Sequence, residues 1–191
     1  MKAWIKIHTV DRYLEPLRQQ LLKALPDGVS LLEIGCGTGD LLFRAAPQIS
    51  YGLGVDANPD LISYAQQKKQ KNNLLQLSFK AEHLQPTFDL GRTFDFGVAS
   101  LFFHVLPNEE AILTLKTLKK HCDKLLIAAF VLPSNRKEEW LMWFDQRFSG
   151  HYQHYRKYAN QGYMDGLLQR AEVRIRRVEA TFDPCINLYT I

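Results

Sequence analysis

The chain has 191 residues, is 46% hydrophobic and 12% aromatic, and carries a net charge of +4 from 24 Lys and Arg against 20 Asp and Glu. That length suits one domain, residues 1–191, with a layered core, and so mild a positive excess permits an anionic partner without requiring one. Three scattered cysteines (Cys36, Cys122 and Cys185) argue against a disulfide framework or zinc ribbon. No apolar run approaches the roughly 18 residues of a membrane span.

The elements follow in chain order. Residues 10–25 place Tyr13, Leu14, Leu17, Leu21, Leu22 and Leu25 at helical spacing, so 1–28 is an N-terminal helical segment closed by Pro26, Asp27 and Gly28. Val29–Ile34 reads as a buried strand and 40–46 as the helix after it. A second strand lies in 50–58. Asn58, Pro59 and Asp60 are good starters for a helix over 61–71. Strands are predicted at 74–79 and 93–100, a helix at 109–121 and a fifth strand at 124–132. Strands alternating with helices imply an α/β fold, a mainly parallel sheet with helices on both faces. After a helix at 163–171, strands at 173–182 and 185–191 are joined by a turn at Asp183–Pro184. So short a link demands antiparallel pairing. The expectation is a three-layer α/β/α sandwich of seven strands, five parallel and two in a C-terminal antiparallel hairpin.

The chemistry-bearing stretch is "LLEIGCGTGDLLF", 31–43. Glycines directly after a first strand let a small molecule lie against bare backbone at a helix N-terminus. The dinucleotide fingerprint GxGxxG fails here, because Asp40 occupies its last position, so an NAD-linked oxidoreductase is disfavoured. Glu33, two residues before Gly35, suits a ligand with an ammonium group better than a pyrophosphate.

Glu33-Ile34-Gly35-Cys36-Gly37-Thr38-Gly39 resembles the first motif, [ED]xGxGxG, of the class I S-adenosylmethionine-dependent methyltransferases, a Rossmann-like family. The likeness continues through Asp56 at the end of the second strand, "FDFGVASLFFHVLP" around the fourth, and the two-strand tail. It implies S-adenosyl-L-methionine as cofactor and S-adenosyl-L-homocysteine as product. By the same likeness Glu33 orients the methionine ammonium, and Gly35, Cys36, Gly37 and Gly39 form the cofactor loop. Asp56 holds the ribose, with Ala57 beside the adenine. Ala81 and Glu82 match an adenine-lining segment in which the usual Asp is replaced by Lys80. Ser100 sits near the methionine end. Asp95 is read as a structural strand residue.

No fixed catalytic residue is expected, since methyl transfer from a sulfonium needs mainly alignment. His104, past the fourth strand, is a weak candidate base, with packing the favoured role. Residues 133–164, the place of a substrate cover in this family, are dense in aromatics, of which Trp140, Met142 and Trp143 are assigned to the core. Tyr13, His104, Tyr152, His154, Tyr155 and Arg156 are candidate acceptor contacts, fit for a flat or partly apolar molecule. His151 and His154 lack an evident third ligand, so no metal is expected. The position of the amino-methylating [DN]PP[FYW] motif reads "ASLF", and no RNA-binding module is evident. A small-molecule acceptor is therefore expected. An RNA or protein methyltransferase, using Arg136, Lys137, Arg156 and Lys157, or a non-catalytic cofactor-binding module, is the alternative. Unpaired thiols and the lack of a signal-like N-terminus imply a cytoplasmic protein with no membrane span.

Overall fold

The computed structural model describes residues 13–83, 90–136, 138, 140, 142, 147 and 150–191. Seven strands form one sheet in the order β3-β2-β1-β4-β5-β7-β6. The five parallel strands are β1 (Ser30–Ile34), β2 (Tyr51–Asp56), β3 (Leu77–Ala81), β4 (Phe94–Ser100) and β5 (Cys122–Phe130). β7 (Ile186–Thr190) runs antiparallel to β5 and to the edge strand β6 (Arg177–Ala180). The central strands are near-continuous apolar runs because both faces are covered: every residue of β1 is buried, Glu33 included.

Helices α1 (Glu15–Lys23), α2 (Asp40–Ala45), α3 (Pro59–Lys71), α4 (Asn108–His121), α5 (Tyr152–Asn160) and α6 (Tyr163–Arg170) supply the outer layers. α1 buries Leu17 and Leu21 and is tied to α2 by Arg18–Asp40 at 3.1 Å and Glu15–Arg44 at 2.9 Å. Asn58 caps α3, its side chain accepting from the Asp60 and Leu61 amides, with Pro59 in the first turn. At the amino edge of the sheet, Asp95 accepts from the Ser30 amide and hydroxyl, both at 2.7 Å, and joins the starts of β1 and β4. These bonds hold its carboxyl below the usual range, in keeping with its structural role.

Several boundaries differ from expectation, β5 among them, which runs 122–130 and not 124–132. Strand β3 begins at Leu77, not 74, because Asn73 turns through φ 51° and the Leu74 amide still bonds back to Lys69. β6 is confined to 177–180, since the Val173 amide closes α6 on Leu168. In the N-terminal segment Tyr13 is helical, a turn at Leu14 precedes Glu15–Lys23, and residues 10–12 lie outside the described residues. Among the described residues no helix is long and apolar enough to cross a membrane. Cys36, Cys122 and Cys185 are buried and unbridged.

Candidate active site

Parallel strands deliver their carboxyl ends to one edge, and ligands in such sheets bind outside that edge. Here the glycine turn follows β1, Asp56 ends β2, Ala81 ends β3 and Ser100 ends β4. A cleft of about 640 Å³ opens there. Of the residues singled out in the sequence, Gly35, Asp56, Ala57, Glu82, Ser100, His151 and His154 line it. Phe102, Asn58, His83 and Glu110 line it too and were missed. Glu110 was legible in principle, because the first turn of the helix after the fourth strand must lie on this edge.

The three loop glycines serve different ends. All have positive φ, at 64°, 53° and 77°. A Cβ on Gly35 would lie 2.4 Å from the Phe102 ring, so that ring packs directly on the backbone. A Cβ on Gly37 would meet no described atom within 4 Å, leaving that face of the turn bare. On Gly39 it would strike Phe79 at 2.5 Å, so the missing side chain here makes room for the core. Cys36 likewise turns its thiol inward, its Sγ close enough to clash with any Cβ on Gly54, and burial pushes the thiol up.

Asp56 is held by two backbone bonds. Its Oδ2 accepts from the Gly37 amide at 2.8 Å and its Oδ1 from the Asn58 amide at 2.9 Å. Each carboxylate oxygen retains a lone pair for an incoming hydroxyl. Glu33 reaches beneath the turn instead of into the cleft. Burial above all, then the Asp40 charge, raises its carboxyl to about 8, against the opposing pull of Arg18. Its Oε2 is buried with no hydrogen-bond partner among the described residues. A buried acid left half satisfied is a strong acceptor in waiting.

Beyond β4 the chain passes through Leu101 at φ 50°, a strained value for a β-carbon residue, into a short 3-10 turn, Phe103–Val105. His104 in this turn is buried, 4.8 Å from the Phe130 ring and 6.4 Å from Tyr155. Burial, then the neighbouring His151, pushes its imidazole down to about 3. His104 does not line the cleft, so as placed it packs against aromatic rings.

The other candidates divide. Tyr155 and Tyr158 form the buried face of α5, and the Tyr158 hydroxyl donates to the Phe130 carbonyl at 2.9 Å. Tyr155 is thus placed in the core and lines neither the cleft nor the groove beside it. Tyr13 stands away from the cleft, donating to the Asp183 carboxylate and meeting the Phe182 ring edge-on at 5.1 Å. Tyr152, His154 and Arg156 face a second concavity of about 710 Å³ that meets the cleft at His151 and His154. In the aromatic segment Met142 is buried, but Trp140 is 59% exposed and leaves the core assigned to it. Trp143 and Lys137 lie outside the described residues. No group of three or more metal-ligating side chains occurs among those described.

A family model described as "Methyltransferase domain" matches residues 25–170. The chain belongs to the methyltransferase-domain family. No curated protein matches it significantly. Solved structures agree on the fold. A SAM-dependent methyltransferase from Aquifex aeolicus is 21% identical over 97% of this chain and 96% of its own, with a TM-score of 0.67. The magnesium protoporphyrin IX methyltransferase of Synechocystis PCC 6803, solved with bound SAH, is 20% identical over 97% and 80%, with a TM-score of 0.62. A ribosomal protein L11 methylase from Lactobacillus delbrueckii subsp. bulgaricus is 14% identical over 92% and 76%, with a TM-score of 0.60. Longer methyltransferases are matched over 43%, 35% and 25% of their own length.

Proposed function

We propose that this methyltransferase binds S-adenosyl-L-methionine in the cleft and transfers its methyl group to a small-molecule acceptor. The observation that carries it is Asp56, fixed by the Gly37 and Asn58 amides at the end of β2 with lone pairs to spare. The donor set fits the cofactor. Asp56 would accept from the ribose hydroxyls, the bare Gly37 face would lie against the ligand, and Ala57 and Glu82 would border the adenine. Ser100 would sit toward the methionine end, and the unpartnered Glu33 Oε2 would take the ammonium through the turn or through a water. Ala81 would offer its backbone amide where Lys80 replaces the family's acid. When bound, the sulfonium supplies a methyl group poised for in-line displacement. This chain's own residues then have to align the acceptor and exclude water.

A cleft of about 640 Å³ falls within the roughly 300–1,000 Å³ of small-molecule pockets. The same fold serves the L11 methylase, so the size and chemistry of the site, and not the fold, favour a small acceptor. The segment 133–164 is the acceptor cover in this reading, through His151 and His154. Buried, unbridged thiols support action in the cytoplasm. Calorimetry should detect S-adenosyl-L-methionine and not NADH, and labelled cofactor should methylate a species in a metabolite extract, identified by mass. Preference for NADH would refute the cofactor. Label entering only RNA or protein would refute the acceptor class, and binding without any transfer would mark a cofactor-sensing module.

A further inference from the structure

The cleft and the groove beside it have opposite charge. Asp56, Glu82 and Glu110 line the cleft. Arg147, Arg156 and Lys157 line the groove, with Gln153 and Asn160 between them and no carboxylate among the described lining residues. His151 and His154 belong to both walls. We infer that the groove holds the anionic group, phosphate or carboxylate, of an elongated small acceptor whose reactive end passes His151 and His154 into the cleft. This rests on the methyltransferase reading above.

The arrangement follows from α5. Burying Tyr155 and Tyr158 leaves Gln153, Arg156, Lys157 and Asn160, spaced three and four apart, on the opposite, exposed face. Arg147 lies 5.6 Å from the Tyr152 ring centroid, which orients its guanidinium beside that face. Among the described residues none of the three cations is ion-paired, whereas Arg18, Arg44 and Arg177 all are. His154 Nδ1 is enclosed at the junction with no hydrogen-bond partner among the described residues. A planar guanidinium, a lysine and amide side chains on one wall form a donor set for a multi-oxygen anion. A cationic cofactor belongs in the carboxylate-lined cleft, so the two charges of a ternary complex are held apart.

The test uses inorganic pyrophosphate and succinate as probes, titrated into the SAH-saturated protein by calorimetry and by the histidine ring resonances in NMR. One probe at least should bind saturably, shifting two histidine signals, and the stronger probe shows whether phosphate or carboxylate is preferred. Arg156→Ala with Lys157→Ala should weaken it at least tenfold, and Arg156→Glu should abolish it, with SAH affinity and thermal midpoint unchanged. No saturable binding by either probe, or equal binding to the double variant, overturns the proposal. So does a matching loss of SAH affinity, which would assign the groove to the cofactor's carboxylate. Tighter binding of a single-stranded RNA 12-mer than of either probe also overturns it, in favour of a polymer. Failure of SAH to bind wild type refutes the cofactor reading separately, since the probes can be titrated without it.

Discussion

Replacing Glu33 by Gln should change how stability depends on pH more than it changes stability at any one pH. The folded carboxyl is raised from its ordinary 4.5 to about 8, chiefly by burial. The native state therefore keeps its proton where the unfolded chain has released it. The sign follows: this contribution is complete below about pH 4.5 and is lost as pH rises through about 8. At roughly 1.4 kcal/mol per pH unit, the whole interval is worth at most about 5 kcal/mol. Glutamine keeps the shape and cannot ionise. Urea denaturation of both proteins from pH 5 to 9 should give a stability difference that moves toward the variant by at least about 2 kcal/mol. His104 titrates oppositely but identically in both proteins, so it cancels. Parallel curves would refute the assignment of a protonated Glu33. SAH sharpens the test: an ammonium beside Glu33 favours the carboxylate, so binding should release a proton and tighten between pH 6 and 8 in wild type alone.

Asp56→Ala should weaken SAH at least about tenfold by calorimetry, charge-assisted bonds being worth roughly 1.5–3 kcal/mol, and should lower stability by about 1–2 kcal/mol through the lost Gly37 and Asn58 bonds. His104 is buried neutral at about 3, so its contribution is present above about pH 6.5 and lost as pH falls toward 3. His104→Phe should flatten that acid limb in thermal melts at pH 4 and 7, and an unchanged limb would contradict its burial. Gly39→Ala, with a Phe79 clash at 2.5 Å and φ 77°, should cost about 2–3 kcal/mol. Gly37→Ala, strained but uncrowded, should cost about 1 kcal/mol, and equal losses in denaturant would contradict the division of roles between them.

The layered fold was legible because parallel strands buried on both faces must be apolar runs, and 29–34, 93–100 and 124–132 are such runs. That Gly35 and Asp56 meet at the carboxyl edge of the sheet was legible because a backbone turn at a helix start constrains residue type locally. The placement of the α5 side chains was not. Tyr152, Tyr155 and Tyr158 look alike in the sequence, and only the seating of α5 on Phe130 and His104 decides that Tyr155 and Tyr158 face inward while Arg156 faces out. Tyr13 is decided by a partner 170 positions away, Asp183. Phe102 reads as one more apolar residue until the sheet brings it onto Gly35.

On the groove proposal, that seating favours an anionic acceptor over the flat or partly apolar one expected from the sequence. An aromatic-rich segment can shape a pocket only with rings that the core does not need. In α5 the core takes Tyr155 and Tyr158, and Tyr163 packs against both, at 6.5 and 5.7 Å between ring centroids. What remains toward the groove is the polar half of an amphipathic helix, and its cations are Arg156 and Lys157. A flat apolar acceptor would have to displace their hydration without compensation, whereas an anion replaces it with charge-assisted bonds. Within α5, burial of Tyr155 and Tyr158 leaves Tyr152 as the ring that lines the groove, beside Arg156 and Lys157.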